Sequence, residues 1–296
     1  MEYRRLGKAG VKVSRICLGT AFRGQEDEKV CAQVIERALE LGCNFIDCAN
    51  FYGRGRSETI VGRALRGKRD DIVLTTKVRS EMGEGPNDRG LSRFHIMREA
   101  ERSLQRLQTD HIDIYLLHAF DPETPLDETL RAMDDLVRQG KVRYVGCCNF
   151  SAWQVAEGLW TSEVNSLASF VCIQPQYNLL NRWEVEPELM PLCRQHGLGM
   201  MTYSPLAIGL LSGRFRRGQT PPADSPWGHG KYDFEHAMTA QTAAVVQHLI
   251  DIGRARGKTP AQGGLARILD PEGGRAAVPG HDPPPHCGVV SRPRGL

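Results

Sequence analysis

Short apolar runs alternate with longer amphipathic stretches along most of this chain. The short runs are Arg15–Leu18, Asn44–Asp47, Ile72–Thr76, Ile112–Leu117, Val142–Gly146, Val171–Gln174 and Gly199–Thr202, rich in Ile, Val, Leu, Phe and Cys. Brief apolar runs of this kind fit strands buried on both faces of a parallel sheet. The longer stretches are Asp27–Leu41, Ser57–Leu65, Ser92–Leu107, Leu126–Arg138, Ser151–Leu159, Glu186–His196 and Ala237–Arg256. They carry helical periodicity, and several open on Ser or Asp and close on Gly42, Gly140 or Gly197. Ahead of them, Tyr3–Leu6 and Val11–Val13 flank Gly7-Lys8-Ala9-Gly10 and read as a hairpin, suited to plug one end of a barrel.

Strand and helix in alternation mean right-handed βαβ units, hence a doubly wound sheet or a closed barrel. The turns decide between them. No first βα turn carries GxGxxG, and the nearest glycine cluster, Gly53-Arg54-Gly55, lacks the third glycine, which disfavours a dinucleotide-binding doubly wound sheet. A barrel gathers functional residues at the C-terminal ends of several strands, and the polar outliers of this chain fall there. The expected fold is an α/β, (β/α)8 TIM barrel with an N-terminal β-hairpin, one domain over residues 1–296, a length such barrels commonly have.

Composition narrows the function more than the fold. Hydrophobic residues make up 41% and charged residues 25%, the balance of an ordinary globular protein with a large core. The 38 basic and 35 acidic residues are spread along the chain for a net charge of +3, so no polybasic tract points to nucleic acid or an anionic membrane. The N-terminus Met-Glu-Tyr-Arg-Arg has no apolar segment of signal-peptide type and no eighteen-residue apolar run exists, so the expected location is the cytoplasm. Nine cysteines are scattered without a CxxC pair and read as buried, reduced thiols. The nine histidines form no HxH or other ligand-spaced cluster, so no metal is expected. A small-molecule enzyme, monomeric or weakly homo-oligomeric, is the picture that remains.

Candidate chemistry sits at consecutive strand ends. Asp47 directly follows the apolar pair Phe45-Ile46, and a carboxylate buried there needs a cation or many donors. The next strand ends at Thr76-Lys77 and the one after at Leu117-His118, with Tyr52 in the turn after Asp47. Taken singly, Asp47–Lys77 is a structural ion pair, His118 a hydrogen-bonded histidine and Tyr52 a loop aromatic. Neighbouring barrel strands bring all four to one rim, which favours a functional reading.

Asp-x-x-x-x-Tyr-Gly at Asp47–Gly53, the strand-end Lys77 and Leu117-His118 resemble the catalytic tetrad of the aldo-keto reductase superfamily. The likeness extends through Leu18-Gly19-Thr20, Gly146-Cys147-Cys148-Asn149-Phe150-Ser151, Gln174-Pro175-Gln176-Tyr177-Asn178 and Tyr203-Ser204-Pro205-Leu206, covering about residues 3 to 262. The resemblance implies NADP(H)-dependent reduction, or reduction with NAD(H), of an aldehyde, ketone or keto-sugar. Hydride addition leaves negative charge on the carbonyl oxygen, which must be protonated as it forms. Tyr52 is the implied proton donor. Lys77 beside it should lower the phenol pKa from its ordinary ~10, Asp47 should hold Lys77, and His118 should orient the carbonyl. The nicotinamide is implied to stack on Tyr203 and bond Asn149 and Gln174, with Gly19, Thr20 and Asp47 nearby and Ser204, Leu206 and Ser212 along the pyrophosphate. Cys148 stands where the family usually has a hydroxyl, and a thiol is a weak donor. Substrate walls are implied from Phe22, Phe51, His118 and Phe120, with Arg23, Phe215, Trp227 and Tyr232 on flexible loops over Thr20–Asp27, Arg79–Gly90 and Ala207–Asp233.

The resemblance breaks after Gln262. From Gly263 to Leu296, Gly and Pro occupy 13 of 34 residues, against 31 Gly and 17 Pro in the whole chain of 296. Helix is not expected there. Ala276-Ala277-Val278-Pro279-Gly280 alone keeps the look of an eighth strand, so the eighth βα unit is expected to be atypical or incomplete. Beyond it, His281-Asp282-Pro283-Pro284-Pro285 replaces the expected phosphate donors, and Arg292 and Arg294 are the remaining cations. The alternative function is therefore a catalytically impaired or regulatory barrel that keeps the fold but binds cofactor weakly.

Overall fold

A computed structural model describes residues 1–22, 25–223, 225–230 and 232–269, and the backbone of 275–278. Strands β1 (Tyr3–Arg5) and β2 (Lys12–Ser14) form the antiparallel hairpin. Then follow β3 (Leu18–Gly19), α1 (Glu28–Glu40), β4 (Phe45–Asp47), α2 (Arg56–Ala64), β5 (Val73–Val78), α3 (Arg93–Leu107), β6 (Ile112–Leu117), α4 (Leu126–Arg138), β7 (Val142–Cys148), α5 (Ala152–Val164) and β8 (Phe170–Gln174). The chain continues through α6 (Met190–His196), β9 (Gly199–Tyr203), α7 (Phe234–Ala237), α8 (Ala240–Arg256), α9 (Pro260–Ile268) and β10 (Arg275–Val278). Strands β3 to β10 make one parallel sheet in chain order.

One hydrogen bond shows that this sheet is curled. Gln174 at the end of β8 donates from Nε2 to Asp47 Oδ1 at the end of β4 across 2.9 Å. Four strand spacings in a flat sheet would separate them by about 19 Å. The inward side chains Phe45, Val73, Ile114, Leu116, Cys148, Cys172 and Met201, drawn from β4 to β9, share one buried cluster for the same reason. The fold is the expected α/β barrel, and the strand Arg275–Val278 pairs with β9 where an eighth strand was expected. Among the described residues no ladder joins β10 to β3, so the ring is incomplete at that seam.

The hairpin is the plug. Leu6 and Val13 join the interior cluster, and Lys8 donates its backbone N–H to the Gly197 carbonyl at 2.7 Å. Outside the strands, α1 contributes Cys31, Val34, Ile35 and Ala38 to a second cluster, a stripe at helical spacing, and α2 to α4 pack likewise. Burial of one such side chain stabilises by roughly 1.5–3 kcal/mol. Eight cysteines are buried and free, and Cys287 lies outside the described residues.

Several boundaries differ from those the sequence suggested. Helix α9 runs through Gly263-Gly264, where helix was not expected. Its start explains this: Thr259 and Gln262 form a reciprocal capping box, Pro260 occupies the first turn, and Ala261, Gly264, Leu265 and Ile268 line the buried face. Capping and core contacts outweigh the ~1 kcal/mol that each glycine costs. Helix α5 extends to Val164, and the Glu186–His196 stretch begins as one π-helical turn, Val185–Leu189. Of Arg15–Leu18, only Leu18 enters strand β3, together with Gly19, while Ile16 makes a single bridge. The expectations for Gly273, Gly274 and Pro279 onward, including His281–Pro285, Arg292 and Arg294, fall outside the described residues.

Gly7 has a φ of 59°, and a Cβ there would lie 2.3 Å from the Gly199 nitrogen and 2.4 Å from the Gly197 oxygen. Backbone atoms cannot step aside cheaply. Gly7→Ala should therefore destabilise the barrel by about 2 kcal/mol or more, read as a lowered denaturation midpoint; an unchanged midpoint would mean that the hairpin does not seal the barrel.

Candidate active site

Three adjacent strands end at one rim. Asp47 closes β4, Lys77 is the penultimate residue of β5, and His118 follows β6, while Tyr52 lies in the turn between β4 and α2. Lys77 Nζ is 2.7 and 2.8 Å from the two Asp47 carboxylate oxygens, 2.8 Å from the Cys48 carbonyl oxygen and 3.4 Å from Tyr52 Oη. Its ammonium also lies 4.9 Å from the centre of the Tyr52 ring. The rings of Tyr52 and His118 meet edge to face at 6.0 Å. The four residues picked out by the sequence are thus brought together.

Burial sets their protonation. Lys77 is 0% exposed, which alone would favour the neutral amine, but the Asp47 carboxylate overrides this and holds its pKa well above the ordinary lysine value. Tyr52 departs from the expected lowering: its pKa is pushed up to about 12, because burial disfavours phenolate more than the Lys77 cation favours it. The phenol keeps its proton at neutral pH. His118 is driven the other way, to about 3, first by burial and then by the cations of Lys77 and Arg79, so its imidazole is neutral. His118 Nδ1 is buried without a hydrogen-bond partner among the described residues.

Around this group stand the residues assigned to the cofactor. Gln174 Oε1 accepts the Cys148 thiol at 3.2 Å, while its Nε2 holds Asp47. Asn149, at a φ of 54°, donates from Nδ2 to the His118 carbonyl at 2.9 Å, and its Oδ1 accepts the Tyr203 hydroxyl at 2.9 Å. Tyr203 is thereby anchored by its tip at the end of β9, half-exposed. Gly19 and Thr20 are buried, and Thr20 Oγ1 bonds the Asp47 carbonyl and the Ser57 hydroxyl. Ser204, Ala207, Ile208, Gly209 and Gly213 all have positive φ, so the segment after β9 is a chain of tight turns, in which Ser212 Oγ bonds the Gly209 carbonyl and Leu206 is half-buried. An aromatic ring held by its hydroxyl, amide groups beside it and a turn-rich backbone beyond suit a nicotinamide and its pyrophosphate.

The substrate-wall residues divide. Phe51 is exposed at 49%, and Phe120, half-buried, packs edge to face on Phe150 at 5.4 Å. Phe22 is a core residue instead, 3% exposed within the main cluster. Arg23 lies outside the described residues. Phe215, Trp227 and Phe234 form a small core of their own with Leu210 and Met238, Tyr232 packs against it, and Trp227 Nε1 donates to the Ile208 carbonyl at 2.9 Å. Much of Ala207–Asp233 is therefore built structure rather than an unattached loop.

Sequence reasoning missed a buried ion network behind the Tyr52 turn. Thr76, next to Lys77, donates to Glu58 Oε1 at 2.6 Å; Arg106 bonds Glu58 Oε2 at 2.6 Å and Glu99 Oε2 at 3.4 Å; Asn50 donates to Glu99 Oε2 at 3.1 Å. Glu58 and Glu99 are both 0% exposed. Burial pushes the Glu99 carboxyl up, but Asn50, Arg102 and Arg106 together hold it below its ordinary range. The signal was present: Glu58 lies on the same helical stripe as Val61 and Leu65.

A profile of the Aldo/keto reductase family matches residues 15–286. The chain is 44% identical over 226 residues to the "Uncharacterized oxidoreductase YrpG" of Bacillus subtilis (strain 168), covering 72% of this chain and 69% of that protein. It is 40% identical over 226 residues to a "Probable voltage-gated potassium channel subunit beta" of Arabidopsis thaliana, covering 75% and 69%. A protein of Oryza sativa subsp. japonica with the same description is 39% identical over 237 residues, covering 78% and 72%. Fold and matches together define an oxidoreductase on a parallel α/β barrel. The chain belongs to the Aldo/keto reductase family. Among the described residues no group of three or more His, Cys, Asp or Glu side chains is placed to hold a metal ion, and no helix is long and apolar enough to cross a membrane.

Two measurements follow from these buried charges. The unfolded chain protonates His118 as pH falls below its ordinary 6.5, whereas the folded chain does so only near 3. Stability present above 6.5 is therefore lost as pH falls toward 3, and His118→Gln should lose less stability than the parent between pH 7 and pH 4. Superimposable stability curves would refute the neutral imidazole. Glu58→Ala leaves Arg106 without its main partner and should destabilise by about 3 kcal/mol in urea unfolding; a change below about 0.5 kcal/mol would make the network incidental.

Proposed function

We propose that this chain, acting as one barrel over residues 1–296 in the cytoplasm, reduces an aldehyde, ketone or keto-sugar carbonyl to the alcohol, with Tyr52 as proton donor and NADP(H), or NAD(H), as the source of hydride. The observation that carries this is the 3.4 Å contact between Tyr52 Oη and a fully buried, Asp47-paired Lys77 ammonium. Small-molecule carbonyls are the expected partners, with no nucleic acid or membrane.

When bound, the nicotinamide supplies the hydride that reaches the carbonyl carbon. Tyr203, Asn149 and Gln174 would hold that ring, Gly19, Thr20 and Cys148 would edge it, and Ser204, Leu206 and Ser212 would follow the pyrophosphate. The chain's own residues supply the rest. Tyr52 Oη gives its proton to the carbonyl oxygen as negative charge develops there, since an alkoxide is a stronger base than a phenolate. The phenolate left behind is stabilised by Lys77, which Asp47, Gln174 and the Cys48 carbonyl hold in place. Neutral His118 donates an uncharged hydrogen bond to the same oxygen and orients it. One carbonyl, one reduced nicotinamide and one proton give one alcohol and one oxidised nicotinamide.

The descriptions of the two plant relatives favour a second reading, a regulatory or assembly role in which the barrel turns over slowly and binds cofactor weakly. Protein-fluorescence quenching by NADPH, followed by a panel of aldehydes, separates the two.

On the first reading, Tyr52→Phe keeps cofactor binding and loses about two to four orders of magnitude in carbonyl reduction. Equal turnover in variant and parent would remove Tyr52 from the mechanism. Lys77→Met and Asp47→Asn act on one unit, so the double variant should lose no more than about the larger single loss; strictly additive losses would make the pair merely structural.

A further inference from the structure

Arg79 follows β5 directly, two residues beyond Lys77, and the reaction derived above gives it no role. Its φ is 139°, in the region that a side chain with a Cβ enters only against steric resistance. Both sides of the residue are tied. Its carbonyl accepts from Gly90 N–H at 2.8 Å, and its Nε donates to the Phe120 carbonyl at 3.1 Å. The intervening loop is fastened in turn: Met82 N–H bonds the Asp88 carbonyl at 2.8 Å, and Arg98 on α3 bonds the Asn87 carbonyl at 2.7 Å and Asp88 Oδ1 at 2.5 Å. This backbone is held in place.

What it holds is a half-buried cation at the rim. The Nε bond ties Arg79 to the segment that follows His118, and its charge is felt at the imidazole. Beyond that bond, Nη1 and Nη2 make no hydrogen bond or ion pair with the described residues. The carboxylate that feels its charge is already engaged: Asp121 accepts from Leu91 N–H at 2.7 Å, Thr124 Oγ1 at 2.8 Å and Glu123 N–H at 3.1 Å. A guanidinium fixed by one nitrogen and open at two presents the fork that matches an anionic oxygen pair.

We propose that Arg79 is a specificity-determining residue that selects carbonyl substrates bearing a carboxylate or phosphate group. The inference deepens the reductase reading and rests on it for its kinetic half. An anion held at Arg79 places the rest of the substrate beside His118, where the carbonyl must lie for Tyr52 to reach it. The strained backbone is consistent with a side chain kept for recognition at the expense of stability.

The test compares matched substrates on the full chain with NADPH: 4-carboxybenzaldehyde against its methyl ester, and glyceraldehyde 3-phosphate against glyceraldehyde. The parent should favour at least one anionic partner by about tenfold or more in kcat/KM, expressed in KM, and the pair that shows it identifies the group. Arg79→Gln and Arg79→Gly should bring that ratio close to one, with Arg79→Lys between. Because glycine relieves the backbone, Arg79→Gly should melt no lower than the parent while losing selectivity. A purely structural arginine would instead lower the melting temperature and reduce turnover of charged and neutral substrates alike. Binding of 4-(hydroxymethyl)benzoate and of glycerol 3-phosphate to the NADPH-loaded chain, measured by calorimetry, separates this inference from the reductase reading. If no aldehyde is reduced yet either alcohol binds the parent at least about tenfold more tightly than Arg79→Gln, the anion site stands and the reductase reading falls. Equal ratios in parent and variants, or binding of neither alcohol in an Arg79-dependent way, overturns the proposal.

Discussion

Lys77 and Asp47 are buried together, with side chains 0% and 3% exposed, where two charges taken out of water persist only if their donors and acceptors are met. Here they are met. The ammonium has both carboxylate oxygens, the Cys48 carbonyl and the Tyr52 hydroxyl, and the carboxylate has Gln174 besides. The bond from Gln174 reaches across the barrel, so the same group that satisfies the pair also joins β4, β5 and β8 at one end. Loss of either charge would strand the other in a low dielectric, which makes the geometry of the candidate site and the upper closure of the barrel one energetic unit.

The same burial governs the neighbouring groups. Burial at the rim keeps Tyr52 protonated and His118 neutral, although a bare cation beside a phenol would argue for the opposite shift at Tyr52. The outcome is a site in which Tyr52 and His118 are both uncharged at neutral pH, as the proposed reaction requires of its two donors. Preorganised donors in a water-poor site act more strongly than the same groups in solution.

Behind the rim, the Thr76–Glu58–Arg106–Glu99–Asn50 chain connects the residue before Lys77 to the residue two before Tyr52. Helices α2 and α3 thus brace the turn that carries the phenol. At the opposite end, the hairpin closes the barrel by backbone contact at Gly7, Gly197 and Gly199. The end that carries the candidate site is held by polar bonds and the other by close packing, a division that suits a barrel whose chemistry belongs to one rim.

Much of this was legible in the chain itself. Apolar periodicity located the strands from Phe45 to Tyr203 and the helices between them, because burial on both faces leaves few polar positions in such strands. Asp47, Lys77 and His118 stood out because charged or polar groups at the ends of apolar runs demand partners. The glycines at 263 and 264 misled, since propensity counts residues one at a time while α9 is secured by its Thr259–Gln262 cap and by Leu265 and Ile268 in the core. The sign of the shift at Tyr52, the burial of Phe22, the ion network and the strained, open guanidinium of Arg79 were decided only by tertiary structure. Each depends on how much water is excluded and which groups from distant strands are brought within about 3 Å, the range over which hydrogen bonds act. Local sequence carries neither quantity.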